Sequence, residues 1–435
     1  MRWPSASESV EPAMNPASDQ RPRTDRITDR IDVVIVGAGY AGVLAANRLR
    51  SSLTTDEARC ITITMVNARD EFVERIRLHE LAAGTRASVS IPLSEMLHDD
   101  VRLVIGTAEL IDHEAKTVKV RDRDGAVERE LRYDVLIYAV GSCASDAIPG
   151  AREHACLLGD LDGASKARVA ISAGTSGQRI VVVGGGLTGV EAAAEIAEQH
   201  STDHVTLVSS REVLENMRPA ARRSVTRTLN RLGVTIVASA RVESIGHKKV
   251  ELINRNPLAF DVCVVAASFA VPDLARISGL AVDPVGRLLV DETLRSVTAP
   301  NVIGAGDAIA VPDSVGSHLR MSCAAALPLG GHAAETTLAL IRGATPAAVS
   351  IGFAVQCISL GRKRGYIQPV HPDDTPRRIH LAGRLAARFK EYICRLVVIG
   401  PKKERARPGA YRAPSGPRPT AATRAQGSDL PRRGT

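Results

Sequence analysis

Aromatic side chains are scarce. Phe, Tyr and Trp make up 3% of 435 residues, and the one tryptophan is Trp3. That scarcity counts against stacking platforms for single-stranded nucleic acid, which need several exposed rings. Paired cysteines are missing too. The seven thiols (Cys60, Cys143, Cys156, Cys263, Cys323, Cys357 and Cys394) stand far apart, with no C-x-x-C or C-x-x-x-x-C spacing. Scattered single thiols argue against a disulfide scaffold and a zinc site and suit a reducing cytosol, so no metal is expected. No stretch reaches the ~18 apolar residues of a membrane-spanning helix. Residues 1–30 also lack the apolar core of a secretory signal. A cytoplasmic protein is the expectation.

What is present is a long chain with an uneven charge. Two or three domains are expected, since single cores cluster near ~100–150 residues. The 44% hydrophobic and 24% charged content is that of a folded globular protein. The formal charge is +8, but residues 1–30 balance five Arg against five acids. Nine Lys/Arg against Glu404 and Asp429 give 401–435 a charge of +7, which leaves +1 for 31–400. The body makes no demand for a polyanion, so no nucleic-acid partner is expected; a nucleic-acid binder acting through the basic tail is the outlying alternative. Both ends, 1–30 and 401–435, are rich in Pro, Ser, Ala, Gly and Arg, which predicts disordered tails.

Between the tails, short β-branched runs alternate with alanine-rich helical stretches. Ile31–Val36, Ile61–Val66, Val101–Ile105, Val118–Val120 and Val135–Val140 form one group. Ile180–Val183, Val205–Val208, Val234–Val237 and Val262–Ala266 form another. This is the βαβ pattern of a parallel sheet covered on both faces, present twice. The first strand of each group runs into glycines in G-x-G-x-x-G register: Gly37, Gly39 and Gly42, then Gly184, Gly186 and Gly189. The first glycine permits the tight turn, the second lets a pyrophosphate approach the backbone, and the third lets helix and strand pack closely. The fold class is therefore α/β, with two Rossmann-like dinucleotide-binding domains and a small C-terminal α/β region. After the second strand such units usually carry a ribose-binding acid. Here Asn67 stands in that place in the first unit, and Ser209-Ser210-Arg211 in the second. Loss of the acid, with Arg211 available to pair with a 2′-phosphate, leans toward NADPH over NADH.

With these motifs the chain resembles the pyridine nucleotide–disulfide oxidoreductase superfamily, and within it the type II NADH dehydrogenases and apoptosis-inducing-factor-like oxidoreductases. Three more segments carry the resemblance. Tyr133–Ser142 is similar to the crossing from FAD to NAD(P) domain and includes Gly141, and Phe260–Phe269 is similar to the return crossing. Ala299–Val311 resembles the second FAD motif, in which Gly306 and Asp307 meet the ribityl chain and pyrophosphate. Gly106-Thr107-Ala108 matches, more locally, a segment whose backbone contacts adenine. The resemblance implies an FAD domain in two pieces, 31–150 and 269–343, with an NAD(P) domain at 151–268 inserted between them. A small region, 344–400, follows. It also implies FAD as cofactor, NADH or NADPH as co-substrate, and Glu191 beside the nicotinamide. Glu195, one turn later, reads as a solvated helix charge.

Two departures bear on chemistry. The helix expected at Phe72–Ala83, where disulfide reductases carry reactive thiols, has no cysteine, which argues for direct hydride transfer from NAD(P)H to flavin without a dithiol relay. Met321–Glu335 offers Leu327-Pro328 where type II dehydrogenases place glutamines, and this counts against a quinone. The expected activity is thus an FAD-dependent NAD(P)H:acceptor oxidoreductase, with a quinone, another small molecule or a protein as acceptor. A flavin-bound redox sensor or interaction protein of slow turnover is the alternative. None of the eleven histidines has a partner in sequence that would single it out. The stretch Arg384–Ile399 predicts an amphipathic helix with Leu385, Phe389, Ile393 and Leu396 on one face and Arg384, Arg388, Glu391 and Arg395 on the other. It is expected to pack on the FAD domain with its charges outward. Peripheral contact with the inner face of a membrane through 384–403 is the other option.

Overall fold

The computed structural model describes residues 30–125, 128–267 and 269–417. Residues 1–29 and 418–435, most of the expected tails, lie outside the described residues. The chain opens with β1 (Ile31–Val36), which runs into α1 (Tyr40–Ser52). It continues through β2 (Ile61–Asn67), the short helix α2 (Leu78–Ala82), β3 (Val101–Ile105) and β4 (Val135–Tyr138). A second unit follows: β5 (Cys156–Leu157), β6 (Arg179–Val183), α3 (Leu187–Gln199) and β7 (His204–Val208). Helix α4 (Pro219–Arg231), β8 (Thr235–Val237) and β9 (Val262–Val265) complete it. The return brings β10 (Val302–Gly304) and α5 (Cys323–Ile341). Three strands, β11 (Val355–Ser359), β12 (Gly365–Pro369) and β13 (Leu381–Gly383), lead to the last helix, α6 (Arg384–Glu404).

The two parallel sheets share one plan. Their strand orders are β10-β4-β1-β2-β3 and β5-β9-β6-β7-β8. In each, the first strand of the βαβ unit lies between the second and a strand from much later in the chain. Parallel strands need covered faces, and Val33, Ile35, Ile63, Ile137, Ile180 and Val182 are buried almost completely. Each such side chain contributes about 1.5–3 kcal/mol relative to exposure. Strand β10 pairs with β4, Val302 opposite Leu136, so the first sheet draws its edge from beyond the whole second unit. The small C-terminal sheet, β11-β12-β13, is antiparallel.

Four sequence expectations are corrected. Val118–Val120 belongs to strand Thr117–Arg121 of a separate antiparallel sheet, because hairpin partners flank it on both sides. The helix expected at Phe72–Ala83 is divided into a strand (Glu71–Val73), a 3₁₀ turn (Arg75–Arg77) and α2. Third, the first seventeen residues of the expected disordered tail are ordered. Helix α6 continues to Glu404, whose buried carboxylate accepts from Arg48 and from the backbone N–H groups of Gly409 and Tyr411. The chain then returns, and Gly352 N–H donates to the Pro414 carbonyl.

The fourth correction concerns the face on which α6 docks. Ala386, Lys390, Cys394 and Val397 point inward, whereas Leu385 (63% exposed), Phe389, Tyr392, Leu396 and Ile399 face solvent. The helix backbone lies close against β12, where a Cβ at Gly365 would meet the Ala387 nitrogen at 2.9 Å. Only small side chains fit that approach, and Lys390 is admitted because a carboxylate awaits it.

Candidate functional site

The two glycine loops are near copies. Gly37 and Gly184 have φ of +103° and +131°, a region L-residues avoid, and each donates its N–H to the strand beside it, at Val66 O and Val208 O, over 2.8 Å. A Cβ on Gly42 would stand 1.8 Å from the Gly37 carbonyl oxygen, and one on Gly189 would stand 1.8 Å from that of Gly184. Gly39 and Gly186 are open, with nothing within 4 Å of a built Cβ. Each is the N-cap of its helix and neither helix has a side-chain cap. The first-turn N–H groups of α1 and α3 thus meet no capping side chain, the arrangement a diphosphate fills. Both loops fit a dinucleotide.

Asn67 closes the first loop from below. Its Oδ1 accepts from Ala38 N–H at 3.0 Å and its Nδ2 donates to Arg69 O at 2.7 Å. In the second unit Ser209 occupies the corresponding place, buried, and a Cβ on Gly185 would meet its Oγ at 2.0 Å. Arg211 is 75% exposed and paired with Glu215 at 3.1 Å. Ala108 lies in an antiparallel strand, opposite Val120.

Asp307 joins the pieces of the first domain. Its Oδ2 accepts from Ser142 Oγ at 2.8 Å and its Oδ1 from Ser322 N–H at 3.0 Å. Gly306, with φ of +82°, lets the chain turn just before it, and Gly141, with φ of +67°, does so before Ser142. Arg75 donates to the carbonyls of Ser142 and Gly159, at 2.6 and 2.8 Å, tying the crossing loop to the second domain. Ser322 caps α5 by accepting from Ala325 N–H.

A cavity of about 1170 Å³ lies between these pieces. Of the residues singled out in the sequence, Gly184, Gly186, Glu191 and Asp307 line it. Gly37, Gly39, Gly42, Asn67, Ala108, Gly141, Gly189, Arg211 and Gly306 are not on its wall. Cys323, from the singled-out segment Met321–Glu335, lines it too, and Tyr40, Arg75, His79 and Lys390 gather there without any local sign in the sequence. Glu191 Oε1 accepts from Ser359 N–H at 2.8 Å and pairs with Lys390 Nζ at 3.2 Å. Burial is the largest single influence and works against the Lys390 charge, but the Glu191 carboxylate and the neighbouring Cys357, Cys394 and Cys323 together outweigh it and lift the lysine above its ordinary pKa. His79 is buried with Nε2 unpartnered, and burial holds its imidazole below the usual range. A histidine therefore lines the cavity although nothing beside it in the sequence marks it. Burial also raises the Cys323 thiol to about 11, so it is a poor nucleophile at neutral pH.

Glu195 is not the solvated charge its position suggested. It is 0% exposed, Thr85 Oγ1 donates to its Oε1 at 2.6 Å, and its Oε2 has no partner. Burial raises its pKa from 4.5 to about 7. Folding therefore takes up a proton between these values: the stabilisation is complete below about 4.5 and is lost as pH rises through 7. The shift corresponds to roughly 3 kcal/mol. Glu195→Gln is accordingly expected to melt several degrees above the parent at pH 8 and level with it at pH 4.5. Thermal unfolding across that range checks this, and a constant difference would refute it.

Comparison with known proteins agrees with this geometry. The family model for pyridine nucleotide-disulphide oxidoreductases matches residues 31–327. An NADH dehydrogenase-like protein of Mycobacterium tuberculosis is 29% identical over 321 residues, 69% of this chain and 78% of its own. A type II NADH:quinone oxidoreductase of Staphylococcus haemolyticus is 30% identical over 186 residues, 39% of this chain and 44% of its own. Among solved structures, the sulfide:quinone oxidoreductase of Aquifex aeolicus superposes with a TM-score of 0.72 at 19% identity, covering 87% of this chain and 93% of that one. NDH2 of Plasmodium falciparum, solved with NADH, also gives 0.72, at 15% identity and 86% and 96% coverage. Two matched glycine cradles, the Asp307 junction and the family match lead to one conclusion: the chain belongs to the pyridine nucleotide–disulphide oxidoreductase family, as an oxidoreductase with FAD as cofactor and a nicotinamide nucleotide as co-substrate.

Proposed function

We propose that this protein is a type II NADH dehydrogenase that delivers electrons to a quinone carried in a lipid phase. The two-sided wall of the large cavity carries the reading. One side is the second glycine loop, Gly184 to Thr188, with Ser210; the other is apolar, with Leu327, Phe353, Ile393, Leu396, Val397 and Tyr411. Leu396 also belongs to the exposed row on α6 with Leu385, Phe389, Tyr392 and Ile399. An apolar face beside an apolar cavity wall suits contact with a membrane surface. No helix among the described residues is long and apolar enough to cross a membrane. The missing glutamines of the Met321–Glu335 segment have a counterpart from another element, since Gln356 of β11 lines the cavity.

A bound FAD would supply two-electron chemistry toward the nicotinamide and one- or two-electron chemistry toward the acceptor. The chain's own residues orient and hold charge. The bare N-terminus of α3 takes the NADH diphosphate. Asp307 and the first-turn N–H groups of α1 hold the FAD diphosphate and ribityl chain. Lys390 keeps a proton at Nζ beside the cavity, anchored by Glu191. Glu215 places a carboxylate beside the Arg211 guanidinium that pointed to NADPH, which weighs toward NADH.

Anaerobic mixing tests the reading. NADH is expected to bleach the flavin, with kcat/KM at least roughly tenfold above that for NADPH. A short-chain quinone is expected to restore the colour. A flavin that NADH leaves oxidised, or that quinone does not reoxidise, would overturn it.

A further inference from the structure

A second cavity, of about 670 Å³, lies on the other side of the helices that wall the first. Its lining is cationic: Arg86, Arg362, Lys363, Arg384, Arg388 and Arg395 face it, against the carboxylates of Glu80 and Glu391. Those two carboxylates are already spent. Glu80 pairs with the buried Arg77 at 2.9 Å, with Arg86 at 2.7 Å and with Arg362 at 2.7 Å. Glu391 pairs with Arg77 at 2.9 Å and Arg395 at 3.2 Å. Lys363, Arg384 and Arg388 have no ion-pair partner among the described residues. Three mutually repelling cations around one concavity cost stability unless an anion joins them. The N-terminus of α6 adds to the field: its N-cap, Gly383, supplies no side-chain cap, and Ala387 in its first turn lines the cavity.

We propose that this cavity is a binding site for a phosphate-bearing anion, held by Lys363, Arg384 and Arg388 at the start of α6. Guanidinium groups and a helix N-terminus are the donors that phosphate oxygens prefer. The site is built back to back with the redox site. On α2, His79 faces the first cavity and Glu80 the second; on α6, Lys390 faces the first and Glu391 the second. The phosphate has two sources, a soluble ligand or a lipid headgroup, and the apolar row of Leu385, Phe389 and Tyr392 on the same helix makes the headgroup worth separating in the test.

The experiment uses holoenzyme with saturating NAD⁺, which fills the nucleotide loop. Calorimetry with inorganic pyrophosphate is run alongside sedimentation with phosphatidylglycerol/phosphatidylcholine vesicles. Lys363→Ser/Arg384→Ser/Arg388→Ser is compared with Arg223→Ser/Arg227→Ser/Arg231→Ser, which removes equal charge from α4. The parent is expected to bind at least one probe, less tightly as salt rises, and the pocket variant about tenfold more weakly, with the α4 variant unchanged. Selective loss of pyrophosphate binding identifies a soluble source, and selective loss of vesicle binding a headgroup. No binding of either probe by the parent, or equal losses in the two variants, would overturn the proposal. The pocket variant should melt no lower than the parent, since none of the pocket cations has an ion-pair partner to lose and their mutual repulsion goes with them.

Discussion

Gly42→Ala is expected to purify colourless, and Gly189→Ala to purify yellow yet resist bleaching by NADH. Both substitutions place a Cβ 1.8 Å from the carbonyl oxygen of the first glycine in the loop, Gly37 or Gly184. Backbone, not a flexible side chain, is what the methyl meets, so helix and strand must separate by more than an ångström. A displacement of that size at a phosphate-binding turn costs on the order of a hundredfold in productive binding. The two loops lie in different sheets, so each substitution should spare the other's nucleotide. Flavin absorbance of the purified protein and stopped-flow reduction by NADH read the two effects separately. Loss of flavin from Gly189→Ala, with its retention in Gly42→Ala, would reverse the assignment of the loops.

Lys390→Met is the second large effect. It leaves the Glu191 carboxylate buried and without its cation, a change that typically costs about 3–5 kcal/mol. For a protein of this size the melting temperature should fall by about 3–6 °C. Glu191→Gln in the same chain removes the stranded charge while keeping an oxygen for Ser359 N–H, so the double variant should regain most of that loss. Flavin reduction by NADH should stay slow in the double variant, because the protonated Nζ is absent from the cavity wall. Full recovery of reduction together with stability would make the pair purely structural. A single variant as stable as the parent would deny the pair altogether.

Much of this site could be read from contiguous residues. The glycine loops carry strand, turn and helix within one short stretch, and their chemistry is local, so Gly37 and Gly184 declare themselves. Asp307 sits in a similarly compact strand–turn segment. Lys390 and His79 gave no such sign. Each is one residue in an ordinary stretch, and its meaning comes from Glu191, which the fold delivers from another domain. Glu195 misled for the same reason: a carboxylate on an alanine-rich helix looks solvated until Thr85 and Arg362 cover it. Periodicity found α6 but chose its wrong face, since hydrophobicity marks what prefers burial, whereas the narrow approach to β12 selected for size. The ordered stretch after Pro401 depended on Glu404 meeting Arg48, a contact between opposite ends of the chain.

The alternation of neighbours on α2 and α6 also bears on how such a chain can evolve. A single-residue deletion within α6 ahead of Lys390 would rotate all that follows by about 100°. Glu391 would then turn toward Glu191, and Lys390 would leave it, exchanging an ion pair for a repulsion while emptying one wall of each cavity. Substitution can change either cavity independently, but length variation cannot. In lineages that keep this arrangement, gaps should therefore fall in the connections around β12 and β13 and stop at Gly383.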